Sequence, residues 1–171
     1  MRRALILSGL ALAACGAATP GEQGDRPLTG KARALDGDTV SIDFRLSGAD
    51  AFDSRQLCRI DSGCYPCGKL AQDATARMLR SGEATIRMVG ASSYGRPVAI
   101  VTVNGSDLGE QLIAQGWAVP ATRYLGDYRA RAARYMEAYE EARTGRRGVH
   151  AGAWIDPEKW RRGERLACER R

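Results

Sequence analysis

The chain has 171 residues, 44% hydrophobic and 27% charged. That is enough apolar material for one sizeable core, and it excludes a disordered or low-complexity chain. Lys and Arg number 26 against 20 Asp and Glu, a formal charge of +6 that allows an anionic partner without demanding one, and the single His excludes mechanisms that need two imidazoles.

Met1-Arg2-Arg3 is a charged start, and Ala4–Ala14 is an apolar run too short to span a bilayer as a helix. Residues 1–14 therefore read as an export signal. The run ends in Leu12-Ala13-Ala14-Cys15-Gly16, which resembles the lipobox of bacterial lipoproteins, where the cysteine becomes the lipidated first residue. Its rival is an ordinary signal cut near Gly16-Ala17-Ala18. The lipobox reading anchors the chain to a membrane through Cys15, facing the periplasm or the cell exterior. Residues 15–30, rich in Gly, Pro and Thr, read as a flexible tether. Losing Arg2 and Arg3 takes the 26 basic residues to 24 against 20 acidic ones, leaving +4.

Short β-type stretches follow at Lys31–Asp36 and Thr39–Ala49, punctuated by Asp36-Gly37. Pro66–Leu79 is a helix candidate with Leu70, Ala71, Ala74 and Met78 on one face, and Ser81-Gly82 stops it. Ala84–Val89 and Pro97–Val103 read as strands, with a hairpin turn at Asn104-Gly105. Asp107 and Glu110 form a capping-box start for a short helix through Gln115. Asp127 is a candidate cap for a longer helix that ends at Gly145, with Ala132, Tyr135, Met136, Tyr139 and Ala142 sharing a face. Short strands with helices between and after them suggest a small, partly open barrel with helices packed on it. There is no internal repeat and no second domain.

Three clusters carry chemistry: Asp36-Gly37-Asp38-Thr39, then Arg45 through Asp53, then Tyr94-Gly95-Arg96-Pro97. Each alone has an ordinary explanation as a turn, a solvated strand face or a loop. Together, over about Lys31–Val149, and with Gly68, Ala71 and Leu112–Trp117, they resemble the staphylococcal nuclease (thermonuclease-like) family. The resemblance implies an α+β fold, a five-stranded OB-fold barrel with about three packed helices over residues 31–150. It also implies hydrolysis of phosphodiester bonds in DNA or RNA with Ca²⁺, another divalent cation being the alternative. Carried over by position, Asp38, Asp50 and the backbone carbonyl of Ala51 would hold the metal. Arg45 and Arg96 would hold the scissile phosphate, Asp53 would orient or deprotonate the attacking water, and Tyr124 would line the nucleotide pocket. Carboxylates and carbonyls suit a hard cation, and planar guanidinium forks suit phosphate. The runner-up is a binding module on the same barrel with a degraded site. The chain is expected to act as a monomer.

Two departures from the family stand out. Asp53 replaces a Glu, one methylene longer, and Phe52 stands where Pro is common. The connection from Asp38 to Arg45 is also short: a hairpin with Thr39 facing Arg45 puts Ile42 at its tip.

Setting Cys15 aside leaves Cys58, Cys64, Cys67 and Cys168, an even number that in an exported chain suggests two disulfides. The favoured pairing is Cys58–Cys64 with Cys67–Cys168, which pins residues 151–171 as a C-terminal extension. The alternatives are a redox pair in Cys64-Tyr65-Pro66-Cys67 and a four-Cys zinc site. The tail around Trp154, Trp160, Arg161 and Arg162 is expected to pack on the domain, with a nucleic-acid contact as its alternative. His150 reads as structural or exposed.

Overall fold

Turn residues interrupt the first half of the chain every few positions, so its strands are short. The computed structural model describes residues 28–89 and 93–170; the export signal, Cys15 and most of the tether lie outside the described residues. β1 (Ala32–Ala34) and β2 (Val40–Ile42) form an antiparallel hairpin with Ala34 opposite Val40. Its connection carries Asp36-Gly37-Asp38, and the Leu35 and Asp36 N–H groups donate to the Thr39 carbonyl at 2.8 and 3.2 Å. The expected hairpin facing Thr39 with Arg45 therefore does not form, because the Asp-Gly turn reverses the chain one strand earlier.

β3 (Arg45–Leu46) and β4 (Ala49–Ala51) look like one strand in the sequence, but Gly48, at φ 75°, bends the chain between them. β3 runs parallel to β8 (Val98–Val103), with Arg45 opposite Val98. β4 runs antiparallel to β10 (Ala118–Pro120), with Asp50 opposite Val119. β8 also pairs with β7 (Ala84–Met88) and, across Asn104-Gly105, with β9 (Ser106–Asp107). A further hairpin, β5 (Cys58–Ile60) and β6 (Gly63–Tyr65), lacks the apolar alternation that would mark it in sequence. The α+β class is as expected. The five-stranded barrel is not: among the described residues the strands pair as four small sheets without closing.

α1 (Cys67–Arg80) buries Cys67, Gly68, Ala71 and Ala74, while Leu70 turns out to solvent. α2 (Leu108–Ala114) starts as its sequence indicates, the Asp107 carboxylate accepting from the Gly109 and Glu110 N–H groups at 3.0 and 3.2 Å. Glu110 does not return to the cap; it accepts from Arg134 at 3.0 Å. α3 (Arg129–Thr144) starts at Tyr128 without a side-chain cap, so Asp127 does not serve there. Its buried face is Arg131, Tyr135, Ala138 and Ala142, and Met136 is exposed. Arg131 is admitted to that face because it pairs in charge with Asp107 at 2.6 Å and donates to the Tyr135 hydroxyl, which in turn donates to Asp107 at 2.9 Å. α4 (Pro157–Arg161) lies in the C-terminal extension. No described helix is long and apolar enough to cross a membrane.

The disulfides join Cys58 to Cys67 and Cys64 to Cys168, which corrects the favoured pairing. In the β5–β6 hairpin Cys58 stands opposite Tyr65 and Cys64 opposite Arg59. Adjacent register positions point to opposite faces, so Cys58 and Cys64 cannot meet. Pro66 then turns the chain into α1 and brings the buried Cys67 to the buried Cys58, Cα–Cα 5.5 Å. Cys64 faces the other way and meets Cys168 of the extension, Cα–Cα 6.4 Å. Cys64 and Cys67 thus belong to different bridges, which removes both the redox pair and the zinc site. Two disulfides are consistent with an exported protein.

Candidate functional site

The bend at Gly48 turns β3 and β4 around one open pocket of about 760 Å³. β3 contributes Arg45, β4 contributes Asp50, the turn before β8 contributes Tyr94 and Arg96, the segment after β10 contributes Tyr124, and α4 contributes Arg161. Four of the residues singled out in the sequence, Arg45, Asp50, Arg96 and Tyr124, therefore share one cavity.

Arg45 is half-buried, with its guanidinium carbon 5.5 Å from the centre of the Tyr94 ring. Burial is the main cause that lowers its pKa; the neighbouring charge of Arg96 adds to it, and Asp50 opposes. The Arg45 Nε is buried and has no hydrogen-bond partner among the described residues. A pair of mutually repelling guanidiniums with an unused donor is a place that a bound anion would relieve.

Asp53 follows β4 on a tightly held loop. Its N–H donates to Gln56 Oε1 at 3.3 Å, and its carbonyl accepts from the Gln56 N–H at 2.7 Å. Gln56 is wholly buried, and its side-chain amide donates to the Ile155 carbonyl at 2.6 Å. Gly68 packs so closely that a Cβ there would lie 1.7 Å from the Asp53 carbonyl oxygen. This is why the first turn of α1 carries a glycine.

The extension completes the site. Arg59 and Ala153 exchange two backbone hydrogen bonds of 2.8 Å, and Trp154 stacks edge-on against Phe52 at 5.5 Å. Asp156 caps α4 by accepting from the Glu158 N–H at 2.8 Å. Glu169 accepts from the Leu57 N–H at 2.9 Å and from the Trp160 indole at 2.8 Å. So held, α4 delivers Arg161 to both carboxylates: Nη2 is 2.5 Å from Asp50 Oδ2 and Nη1 is 2.9 Å from Asp53 Oδ2. Burial works against the Arg161 charge, but hydrogen bonds and charge from Asp50, and then from Asp53, outweigh it and raise its pKa. The tail packs on the domain as expected. Sequence reasoning missed that it carries Arg161 to the carboxylates and missed Gln56 altogether. The only sequence clue was the Asp156-Pro157 helix start placed just before Trp160-Arg161-Arg162.

Oxygen donors suited to a hard cation are present, since Asp50 and Asp53 already share a positive group and the Ala51 carbonyl follows on β4. Asp38 does not line the pocket: it is exposed in the β1–β2 connection and accepts from the Thr39 hydroxyl at 3.2 Å. Among the described residues, no three His, Cys, Asp or Glu side chains are grouped so as to hold a metal ion. His150 lies away from the pocket lining, edge-on to Tyr139 at 5.1 Å and to Trp154 at 5.6 Å.

A family model described as staphylococcal nuclease homologue matches residues 43–152. Arg45, Asp50, Ala51, Asp53, Arg96 and Tyr124 fall inside the match, whereas Asp38 and Arg161 fall outside it. The chain is also 33% identical over 99 residues to the succinoglycan biosynthesis protein ExoI of Rhizobium meliloti (strain 1021). That alignment covers 54% of this chain and 52% of the relative, so the chain spans about half the length of the curated relative it matches.

Proposed function

The chain belongs to the staphylococcal nuclease homologue family, and on that premise we propose that it hydrolyses phosphodiester bonds in DNA or RNA with little sequence preference. One observation carries this reading: Arg45 and Arg96 share a pocket with Asp50, next to Asp53. The two guanidiniums bind the phosphate oxygens and stabilise the charge that builds on them in the transition state. Phosphate contacts of this kind are blind to sequence. Tyr94 and Tyr124, both largely exposed on the pocket rim, offer faces on which any base can stack. Asp53 orients or deprotonates the attacking water.

A divalent cation, Ca²⁺ or another, is the proposed cofactor; Asp50 and the Ala51 carbonyl would hold it, with Asp38 as a further ligand that the β1–β2 connection would have to bring to them. It would supply Lewis-acid polarisation of the phosphate. The same proposal includes export of a monomer anchored to a membrane by lipid at Cys15.

A binding module without catalysis is the second reading, favoured by Arg161 standing on both carboxylates and by the position of Asp38 off the pocket lining. The two readings part in one experiment. Purified protein is incubated with single- and double-stranded DNA and with RNA, in Ca²⁺ or in chelator, and products are resolved on a gel. Cleavage that the chelator stops supports the nuclease. Retention of the nucleic acid without cleavage, under every divalent cation tried, selects the binding module.

A further inference from the structure

Arg161 lies outside the matched family residues, yet it contacts the carboxylate proposed to hold the metal. We infer that Arg161 is a built-in counter-cation that competes with a divalent metal ion for Asp50 and Asp53, so that the C-terminal extension sets the metal affinity of the site. The inference rests on the reading of Asp50 as a metal ligand.

The geometry makes the two cations exclusive. The two terminal nitrogens of one guanidinium are spent on two different carboxylates, at 2.5 and 2.9 Å. A metal ion bound by Asp50 Oδ2 would stand within a few ångströms of that guanidinium, where like charges repel strongly. With Arg161 in place the Asp50–Asp53 pair has a net charge of −1; without it the pair has −2, a much better partner for a divalent ion.

The placement of Arg161 is built rather than incidental. Five independent ties fix the segment that carries it: the Asp156 cap, the Gln56–Ile155 hydrogen bond, the Arg59–Ala153 backbone pair, the Glu169 acceptors and the Cys64–Cys168 bridge. A long side chain launched from a fixed backbone loses less freedom when it makes its hydrogen bonds. The Arg161 side chain is nevertheless 32% exposed, so water screens the pair and a cation of higher charge is able to displace it. Displacement frees a guanidinium beside Arg45 in a pocket suited to phosphate, which couples metal binding to nucleic-acid binding in the same direction.

The test is calorimetric titration of Ca²⁺ into the full-length, disulfide-intact protein. Wild type is compared with Arg161→Gln, Arg161→Lys and Lys159→Gln. Lys159 is exposed on the same helix and forms no ion pair among the described residues, so its loss changes net charge equally without touching the pair. The expected result is Ca²⁺ affinity about tenfold higher in Arg161→Gln, within the ordinary range for coupled sites. A smaller gain is expected in Arg161→Lys, whose single ammonium does not bridge both carboxylates, and no change in Lys159→Gln. If Arg161→Gln does not fold, a gain in Arg161→Lys decides alone. Equal or weaker binding in the Arg161 variants, alongside Ca²⁺-dependent cleavage by wild type, overturns the inference and leaves the nuclease reading standing. An equal gain in Lys159→Gln reduces the effect to net charge and also overturns it. Absence of Ca²⁺ binding in all four proteins overturns both the inference and the metal reading.

Discussion

Asp50, with Asp53 beside it on the same guanidinium, sits on a wall of the pocket that is tied many times over, whereas Tyr94 and Arg96 sit on a tight turn with fewer ties among the described residues. On the first wall, a disulfide, two backbone hydrogen bonds to Ala153, the buried Gln56 and the glycine at position 68 lock the Asp53 loop, the extension and α1 together. On the second, Ser93 and Arg96 close a turn with backbone hydrogen bonds of 2.8 and 3.1 Å, and Tyr94 adopts φ 52° and is 88% exposed. The contrast separates two kinds of work. Charge is fixed on the carboxylate wall before any ligand arrives, the arrangement that lets an electrostatic site act without reorganising. Aromatic surface on the facing wall stays uncovered, where a base of any identity can settle on it.

The largest expected effect comes from removing the two arginines that share the pocket. Arg45→Ala and Arg96→Ala are each expected to lower kcat on a defined oligonucleotide about 10²- to 10³-fold, the usual loss for one donor aimed at developing charge. Both variants should keep the wild-type unfolding midpoint. A loss confined to KM would break the comparison, because it would make the arginines mere positioning contacts like Tyr94.

Next comes the bridge that ties the extension to the carboxylate wall. Replacing Cys64 and Cys168 by Ser opens a link between residues 104 apart in sequence, and about 2–5 kcal/mol of stability should go with it. Urea denaturation checks the magnitude. Trp160 fluorescence reports whether the extension also swings away, since its indole donates to Glu169 next to that bridge.

Gly68→Ala attacks the same wall from beneath. A Cβ there meets the Asp53 carbonyl at 1.7 Å and its carbon at 2.6 Å, so the backbone must move. Overpacking of this kind costs about 1–3 kcal/mol. If the wall is as rigid as its ties suggest, the displaced Asp53 should also lower kcat. Lost stability with full activity would show that the Asp53 loop adapts after all.

What the sequence disclosed and what it hid follow this contrast. Arg45, Asp50 and Arg96 were legible because local motifs carry them on short strands and turns, and the start of α2 was legible because Asp107 caps it from one residue away. The bend at Gly48 was not, since a glycine inside a strand pattern does not announce that the two halves join different sheets. The disulfide pairing depended on which face of the β5–β6 hairpin each cysteine occupies, and that register appears only once the hairpin is known. Arg161 reaches partners 108 and 111 residues away, through contacts that no local pattern encodes. The carboxylate wall is thus mostly long-range and mostly hidden; the arginine wall is mostly local and mostly visible.

The smallest effect is the most direct report on how the first wall is packed. His150 is the only histidine in the chain, so its imidazole gives an isolated signal in a proton NMR titration. Burial between Tyr139 and Trp154 lowers its pKa below 6.5, with the Arg143 charge adding to the shift, and its Nε2 is buried without a hydrogen-bond partner among the described residues. Folding therefore favours the neutral ring. The stability gained at this site is in place above pH 6.5 and is lost as the pH falls through the depressed folded value. The titration midpoint is expected below 6.5 in the wild type and closer to 6.5 in Trp154→Ala, which strips one face of the ring. The same titration in the Cys64→Ser, Cys168→Ser protein decides what holds the wall. A midpoint that stays low means that Trp154, Phe52 and the Arg59–Ala153 backbone pair dock the start of the extension without the bridge. A midpoint that rises as far as in Trp154→Ala means that the disulfide holds the whole extension, and with it Arg161, against the carboxylates.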